Sequence, residues 1–575
     1  MFLGIHEDTN AGAAAVDSSG RILAAVAEGR LTRVKYAAGF PQLSLDWLSG
    51  CPALESVQSV NGLSGQPITQ SSSVSLVAAN PYHPLPRVLD LAKVSGARDF
   101  RGPLQTAHLA WQQLLHRSSF LRRGVEWFCR AQLERRFKRP FDFVGHHACH
   151  GASAFFTGPW PEATVVTCDN MGDGESAAVF HGREGVLEPL WSTGAWHSPG
   201  QFYGEVASFL GIDPMTAGKV TGLAARGCPD EALEILRQRL RISSDQRSFV
   251  GSSWKERRLG SSHWRALEEY EPADVAAAGQ VCLEEALVEF VREAVRTTGC
   301  KRVALAGGVF ANVTLNRKLS ELAEVEALWV HPAMSDQGIA VGAALLARSH
   351  RHPLTPRAME HAYLGPSSSS SECAAALEAA GLSFDRPEQL PQAVAQLLSE
   401  GKVVGRFSGP LEYGPRALGN RSILCRPDDP GVNDWLNTKL GRSEYMPFAP
   451  VTLYEQGAAI YEGTASVEHC LPFMTVAVPV REPRVSEHAG VVHVDGTARP
   501  QLLRESSNPE MYATLEAFHR ETSIPSLINT SFNRHGEPIV CRPEEAIEVF
   551  LDAGLDALVL GPFLVTQNRS VVSGA

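Results

Sequence analysis

The chain lacks the features that mark secreted, disulfide-rich and membrane-spanning proteins. Its 11 cysteines are scattered singly and none forms a C-x-x-C pair, which argues against a disulfide framework and a thiolate zinc site. The opening MFLGIHEDTN has neither the basic region nor the apolar run of a signal peptide. The sequence holds no run of the roughly 20 apolar residues that a membrane helix needs. We therefore expect a cytoplasmic protein with no membrane partner.

The chain also has no excess of positive charge. Its net charge is −11, which argues against sequence-independent binding to nucleic acid. The composition, 44% hydrophobic and 20% charged, is that of a globular protein. At 575 residues the chain is too long for one hydrophobic core, so we expect at least two domains.

Short apolar strands repeatedly precede a Gly-rich or polar turn and then a helical pattern. This alternation is typical of an α/β fold with ligands at the strand ends. Residues 352–375 are rich in Pro and Ser, as interdomain linkers are. We predict an N-terminal domain over 1–355, a linker over 356–375 and a C-terminal domain over 376–575.

Two histidines and two aspartates are candidate metal ligands. His146 and His150 are four residues apart, so on a helix both would project from one face. The pair alone is more often structural than metal-binding. Asp169 and Asp336 each follow an apolar strand, and carboxylates at strand ends point to where ligands bind. Together the four would form a mixed nitrogen and oxygen site that suits iron, manganese or zinc.

Two further segments are candidates for phosphate binding. Gly307 and Gly308 follow a strand and open a helical pattern, which lets an anion approach the backbone. Lys219 lies on a Gly-flanked turn without the spacing of a P-loop. In the C-terminal part, arginines lie among Gly and Pro rather than along helix faces, which suits binding of a small phosphorylated molecule. These arginines are Arg406, Arg416, Arg421 and Arg442.

Eight motifs are spread over almost the whole chain. They are HHACHGASAFF, CDNMGDGES, GKVTGLAARG, GGVFANVTLN, PAMSDQGIAVGAA, GPRALGNRSI, PFAP and NTSFNRHGEPIV. Taken in order, these motifs resemble those of the carbamoyltransferase family that includes nodulation-factor, cephalosporin and aminoglycoside O-carbamoyltransferases.

The resemblance implies a fold and a two-step reaction. The N-terminal domain would have the actin-like ATPase (ASKHA) fold, and the C-terminal domain would be YrdC-like. The C-terminal domain would form carbamoyl adenylate from carbamoyl phosphate and ATP. The N-terminal domain would transfer the carbamoyl group to an acceptor hydroxyl beside a metal, with iron the family metal and magnesium or manganese as alternatives.

The resemblance also assigns residues to each task. The metal ligands would be His146, His150, Asp169 and Asp336. The nucleotide would contact Asp169, Gly172, Lys219, Gly307, Gly308, Asn312 and Asp336. Carbamoyl phosphate would contact Arg416, Arg421, Arg442, Asn529, Thr530, Ser531 and Asn533. The transfer step would involve His6, Thr9, Asn10 and Lys35.

The transfer segment departs from the family pattern. Thr9 and Asn10 occupy the positions of the family's His-Asp pair, and His6 lies three residues earlier. Thr cannot accept a proton near neutral pH as imidazole does. Either His6 takes the role, another base serves, the acceptor needs little activation, or the acyl chemistry differs. The Lys-His of a second family motif is Lys35-Tyr36 here, and the Arg of a third is Met446.

The expected function is ATP-dependent O-carbamoyl transfer to a small hydroxylated acceptor, such as a secondary metabolite in antibiotic biosynthesis. The alternatives are a tRNA threonylcarbamoylation enzyme and a catalytically altered ASKHA-type nucleotide-binding protein. The acidic chain and its domain order argue against the first alternative, and the metal and arginine motifs argue against the second. We expect a homodimer, the commonest form of oligomer.

Overall fold

The computed structural model describes residues 1–7, 9–54, 74–79, 118–252, 260–429, 431–439 and 448–567. The chain forms two compact units. The first unit comprises Met1–Glu28 and Tyr36–Met359, and the second comprises Gly29–Lys35 and Glu360–Ala575. The early segment that contains Lys35 thus belongs to the second unit.

The first unit contains two five-stranded sheets. One has the order β3-β2-β1-β4-β5 and the other the order β12-β11-β6-β7-β8, and β9 pairs with β10 in a separate hairpin. The strands are β1 (Phe2–His6), β2 (Gly12–Val16), β3 (Ile22–Ala27), β4 (Ser75–Ala79), β5 (Phe141–Val144), β6 (Ala163–Gly172), β7 (Glu175–Arg183), β8 (Val186–Gly194), β9 (Arg241–Ile242), β10 (Phe249–Val250), β11 (Arg302–Ala306) and β12 (Ala327–Val330).

Helices follow several of these strands directly, as the sequence predicts. Helix α1 crosses from the first unit into the second at its first residue. The helices are α1 (Glu28–Thr32), α2 (Gln42–Ser49), α3 (Ser119–Phe137), α4 (His146–Phe156), α5 (Pro199–Phe209), α6 (Gly218–Ala224), α7 (Asp230–Arg237), α8 (Ser262–Arg265), α9 (Pro272–Thr298), α10 (Val313–Ser320) and α11 (Ile339–Ser349).

Helix α11 packs tightly against both β1 and α4 through glycines. A Cβ atom on Gly4 of β1 would lie 1.9 Å from the carbonyl oxygen of Ala340. A Cβ atom on Gly342 of α11 would lie 1.9 Å from the carbonyl oxygen of Cys149 in α4. Such backbone contacts require glycine, and they fix the helix that carries the two predicted histidine ligands.

The second unit has a seven-stranded mixed sheet with the order β18-β15-β19-β14-β13-β20-β21, and β16 pairs with β17 in a separate hairpin. The strands are β13 (Val404–Phe407), β14 (Arg421–Cys425), β15 (Ala449–Leu453), β16 (Val478–Pro479), β17 (Thr497–Ala498), β18 (Gln501–Leu503), β19 (Ser526–Ser531), β20 (Ala557–Leu560) and β21 (Phe563–Thr566). The helices are α12 (Ser370–Ala379), α13 (Leu390–Ser399), α14 (Gly431–Lys439), α15 (Gly457–Ile460), α16 (Pro509–Thr522) and α17 (Pro543–Ala553).

Each face of this sheet packs against its own pair of helices. Successive residues of β20 alternate between the two cores: Leu558 joins the core with α12 and α17, and Val559 joins the core with α13 and α16. This alternation follows from the two-residue period of a strand. Both units therefore confirm the predicted α/β class. Among the described residues, no helix has the length and apolar character needed to cross a membrane.

Candidate metal centre and anion site

Helix α4 presents two imidazoles from its first turns. It begins directly after β5, with Gly145 at the N-cap position. The carboxylate of Asp173 accepts a hydrogen bond from the backbone N–H of His146 at 2.6 Å. The His146 and His150 rings lie on the same helix face with centroids 4.8 Å apart. The helix thus places both predicted ligands side by side.

Two carboxylates meet these imidazoles from the second sheet. Asp169 lies on β6 where the pairing with β7 shifts register, an irregularity that can re-aim a side chain. Asp336 begins a short 3₁₀ turn after β12. The Nε2 atom of His150 lies 3.0 Å from Asp169 Oδ2 and 3.4 Å from Asp336 Oδ1. The Nε2 atom of His146 lies 3.6 Å from each of the same two oxygens.

The four side chains form one compact donor set. One ligand atom from each lies within 4.8 Å of all the others. Both histidines are buried, whereas the side chains of Asp169 and Asp336 are 12% and 20% exposed. Two imidazole nitrogens and two carboxylate oxygens converging from buried positions fit a divalent transition metal. The structure brings the four predicted ligands together, and metal binding itself stays a prediction.

The charges in this cluster stabilise one another. Burial raises the pKa of Asp169, but His146 and His150 beside it outweigh burial and hold that pKa well below its usual value. Burial lowers the pKa of His146, but Asp169 and Asp336 outweigh burial and raise it. The carboxylate of Asp169 is therefore ionised, as a metal ligand must be.

Two more histidines lie close to the four candidate ligands and are neutral. The Nδ1 atom of His147 lies 2.8 Å from the hydroxyl of Thr167, and that of His331 lies 3.0 Å from the hydroxyl of Thr157. Burial lowers the pKa of His147 to about 4 and that of His331 to about 3. Sequence reasoning missed both residues, although the HHACH segment contains His147 and His331 directly follows the apolar run of β12.

The predicted transfer residue His6 lies next to the metal candidates. It is the last residue of β1 and is fully buried. Its ring centroid is 6.4 Å from that of His146, in an edge-on arrangement. Its Nε2 lies 3.2 Å from the carbonyl oxygen of Thr9, and Asn10 follows with a left-handed φ of 62°. Asp8 lies outside the described residues, and Lys35 belongs to the second unit.

Three predicted glycines lie where the backbone must approach this cluster. A Cβ on Gly308 would lie 3.0 Å from Asp169 Oδ1, and one on Gly172 would lie 2.2 Å from the His146 ring. Gly307 has a φ of 110°, and its Cβ would lie 2.1 Å from the carbonyl oxygen of Cys168. These glycines therefore shape the walls of the metal candidate, and nucleotide contact by them stays a prediction.

Asn312 organises a buried polar network instead of facing open space. Its side-chain oxygen caps α10 by accepting from the N–H of Leu315 at 3.0 Å. Its amide donates to Gln280 at 2.8 Å, and Gln280 in turn accepts from the hydroxyl of Tyr203 at 2.6 Å. Lys219 lies on α6 of the same unit. The predicted nucleotide contacts of both residues remain untested.

In the second unit a buried carboxylate organises the loop that carries Arg416. One oxygen of Glu412 accepts hydrogen bonds from the backbone N–H groups of Leu418, Asn420 and Arg421 at 2.8, 2.8 and 3.0 Å. Three hydrogen bonds to one oxygen hold the loop in place. They also satisfy a buried carboxylate that would be costly to leave unpaired. Sequence reasoning missed Glu412, although an acid just before a Gly- and Asn-containing turn is the available signal.

Two of the clustered arginines are buried in this unit. Arg421 donates to the carbonyl oxygens of Ser408 and Asn420, both at 3.0 Å, and lies over the Phe407 ring at 3.7 Å. Burial lowers its pKa to about 10. Arg406 donates to the carbonyl of Gly419 at 2.7 Å. Backbone carbonyls thus hold both guanidinium groups, whereas Arg416 is half-buried on its loop.

The remaining predicted carbamoyl phosphate contacts lie at the end of β19 and just beyond it. Asn529 donates to Gln501 at 2.8 Å and to the carbonyl of Ala417, on the Arg416 loop, at 3.3 Å. Asn533 donates to the carbonyl oxygen of Glu537 at 3.0 Å. Thr530 and Ser531 lie between them on the chain. Arg442 and Met446 lie outside the described residues.

Comparison with known proteins finds matches in both units of the chain. A family model described as carbamoyltransferase N-terminus matches residues 75–345, and one described as carbamoyltransferase C-terminus matches residues 395–567. Nodulation protein NolO of Bradyrhizobium diazoefficiens is 35% identical over 74% of this chain and 79% of its own length. Nodulation protein NolNO of Sinorhizobium fredii is 31% identical over 97% of this chain and 79% of its own.

Among solved structures, the chain is similar to HypF of T. kodakarensis at 14% identity, with a TM-score of 0.31 over 62% of this chain and 48% of that one. The two family models and the two nodulation relatives are decisive by themselves, because together they cover both units. The resemblance predicted from the sequence motifs is confirmed, and the chain belongs to the carbamoyltransferase family.

Proposed function

We propose that the protein is an ATP-dependent O-carbamoyltransferase that forms carbamoyl adenylate and passes its carbamoyl group to a hydroxyl of a small secondary metabolite. The observation that carries the proposal is the convergence of His146, His150, Asp169 and Asp336 on one point in a chain of this family. The loop of Arg416 in the second unit supplies a cationic group for the phosphorylated substrate.

The proposed reaction has two steps. Carbamoyl phosphate and water give carbamate and phosphate. A carbamate oxygen attacks the α-phosphorus of ATP. The bond between the α-phosphorus and the oxygen that bridges it to the β-phosphate breaks, and pyrophosphate leaves. The acceptor hydroxyl then attacks the carbamoyl carbon of the adenylate and loses its proton. AMP leaves, and the acceptor carries a new carbamate ester.

The second unit suits the first step. An arginine on a rigid turn can bind phosphate through two parallel hydrogen bonds. The three N–H bonds to Glu412 hold the backbone that carries Arg416, so little order has to be created when the substrate binds. Asn529 donates to the same loop and adds to its rigidity.

The first unit suits the second step. His146, His150, Asp169 and Asp336 would hold the metal. The mixed donor set suits iron, manganese or zinc, and the family resemblance favours iron, with magnesium or manganese as alternatives. When bound, a divalent metal supplies positive charge that polarises a phosphate or carbonyl oxygen. The partial exposure of the two aspartates leaves an approach for a ligand.

His6 is suited to accept the proton of the acceptor hydroxyl. The carbonyl oxygen of Thr9 can only accept a hydrogen bond, so the neutral imidazole of His6 carries its proton on Nε2. Its lone pair is then on Nδ1, the atom that would accept the proton. Thr9 would orient the ring through its backbone, while its side chain takes no part in proton transfer.

Pyrophosphate release tests the first step without knowledge of the acceptor. The purified protein should release pyrophosphate from ATP only when carbamoyl phosphate is present. Arg416→Ala should lose this activity. The matched control is Arg534→Ala, which removes another arginine of the second unit that is ion-paired to Asp552 and should retain it. Absence of carbamoyl-phosphate-dependent release from the unsubstituted protein would refute the proposal.

The acceptor can then be found by incubating the active protein with hydroxylated metabolites and measuring the mass gain of one carbamoyl group. Product formation should require both ATP and carbamoyl phosphate. A product that forms from carbamoyl phosphate alone would contradict the adenylate route.

A further inference from the structure

The turn between β6 and β7 contacts the start of helix α4. Asp173 lies in this turn, four residues after Asp169 on the same strand pair. Its Oδ2 accepts the hydrogen bond from the backbone N–H of His146, the first residue of α4, at 2.6 Å. One hairpin therefore contacts the helix of both histidines and also carries an aspartate of the metal candidate.

The conformation of Asp173 suits this contact. Its φ of 57° is left-handed, a region in which Asp and Asn are enriched among residues other than glycine. It is only 7% exposed. The first N–H groups of a helix have no partner within the helix, and a carboxylate beside them is favoured by the helix dipole. Asp173 thus takes the place of the capping side chain that Gly145 cannot supply.

Gly172, the residue before Asp173, packs against the imidazole of His146. A Cβ on Gly172 would lie 2.2 Å from ring carbons of His146, so the turn backbone lies directly against that ring. The start of α4 is therefore held by its hydrogen bond to Asp173 and by the contact between the His146 ring and Gly172. Because His150 follows His146 by one helical turn, any shift of the helix start moves both ligands relative to Asp169.

We propose that Asp173 is a positioning residue of the metal centre: it ties the start of α4 to the β6–β7 hairpin and so sets the distances between the two histidines and Asp169. The inference rests on the metal centre of the proposed function. It assigns Asp173 no contact with the metal, the substrates or the reacting atoms. Loss of a group that hydrogen-bonds a ligating side chain directly typically costs about 10- to 100-fold in metal affinity, and Asp173 acts on the same ligand through its backbone N–H.

The test separates positioning from a general effect on folding. Asp173→Gly removes the carboxylate while tolerating the left-handed φ. Asp173→Asn keeps a carbonyl oxygen that can accept the same hydrogen bond, and Asn also tolerates that φ. The control is Asp17→Gly, because Asp17 organises a turn of the same unit by accepting from the N–H groups of Ser19 and Arg21 at 2.7 and 3.0 Å.

Metal affinity is measured on the full chain by anaerobic titration with ferrous iron against a chromogenic chelator. We expect Asp173→Gly to weaken binding about 10-fold or more. Asp173→Asn should stay within about threefold of the unsubstituted protein, since it keeps the acceptor. Asp17→Gly should bind iron as the unsubstituted protein does.

Two results would overturn the inference while leaving the metal centre standing: equal affinity in Asp173→Gly and the unsubstituted protein, or an equal loss in Asp17→Gly. Failure of the unsubstituted protein to bind iron, while it still releases pyrophosphate, would overturn both the iron centre and the role of Asp173. Because the readout is binding, none of these results depends on an identified acceptor.

Discussion

The Nε2 atom of the His6 imidazole lies 3.2 Å from the carbonyl oxygen of Thr9, three residues later in the chain. This contact favours the tautomer with the proton on Nε2, in which Nδ1 carries the lone pair. We predict that His6→Ala loses transfer by about 100-fold or more, the usual contribution of a general base. Carbamoyl-phosphate-dependent pyrophosphate release should persist. Both are measured on one preparation, by product mass and by pyrophosphate.

The control for this variant is His181→Ala. His181 is an imidazole of the same unit that pairs with Glu162 at 2.9 Å on the β6–β7 hairpin, away from its Asp169 end. Its loss should leave both steps unchanged. Full transfer activity in His6→Ala would remove His6 from the mechanism.

Asp169→Asn is predicted to lose metal and transfer together. The carboxylate has two imidazole nitrogens within 3.6 Å and a pKa well below its usual value. A neutral amide is a poor ligand in its place and leaves the two histidines with Asp336 alone of the two carboxylates. Elemental analysis should show metal well below one equivalent, while pyrophosphate release continues. A full equivalent of metal in this variant would contradict the ligand assignment.

The α/β class and the four candidate metal ligands could be predicted from the sequence because both depend on local pattern. Four-residue spacing places His146 and His150 on one helix face, and Asp169 and Asp336 follow apolar strands. The approach of His6 to His146 depends instead on how β1 and α4 pack, which no local pattern specifies. The register shift that re-aims Asp169 is likewise set by hairpin pairing.

The arginines show a second limit of sequence reasoning. Arg421 and Arg416 lie on one Gly-rich segment and have the same pattern around them. The structure buries Arg421 over Phe407 with backbone carbonyls as partners, whereas Arg416 is half-buried. Which arginine faces inward depends on the three N–H bonds to Glu412, and these exist only once the loop has folded.

Glu412→Ala is predicted to destabilise the second unit by about 3 kcal/mol or more. Three backbone N–H groups would lose their shared acceptor, and each unsatisfied buried donor costs about 1–3 kcal/mol. Glu412→Gln keeps one oxygen and should cost less. Denaturant unfolding measures both, and pyrophosphate release should fall with the order of the Arg416 loop.

Glu510→Gln is the contrasting substitution. Glu510 pairs with a buried arginine, Arg406, at 3.0 Å, but its own side chain is 67% exposed. Gln at this position keeps an oxygen that can accept from Arg406, and the carboxylate that it replaces is mostly in water, so this variant should unfold close to the unsubstituted protein. Equal losses in Glu412→Ala and Glu510→Gln would contradict the special role of the buried carboxylate.

The second unit should lose stability in mild acid through His488. This fully buried imidazole lies 2.9 Å from the carbonyl oxygen of Arg484 through Nδ1 and 2.9 Å from the hydroxyl of Ser526 through Nε2. Burial lowers the pKa of His488 below its usual 6.5. The unfolded chain then binds a proton that the folded chain does not. Stability is therefore complete above about pH 6.5 and falls as the pH decreases below it.

The size of this effect is limited by one proton, about 1.4 kcal/mol per pH unit. His488→Asn keeps a neutral hydrogen-bonding side chain and should show a shallower loss between pH 6.5 and pH 5, although it is less stable at pH 7.5. Amide hydrogen exchange of β19, which carries Ser526, reports on this unit alone and is corrected for the intrinsic pH dependence of exchange. If both proteins lost protection equally over this range, the acid sensitivity would have to come from groups other than His488.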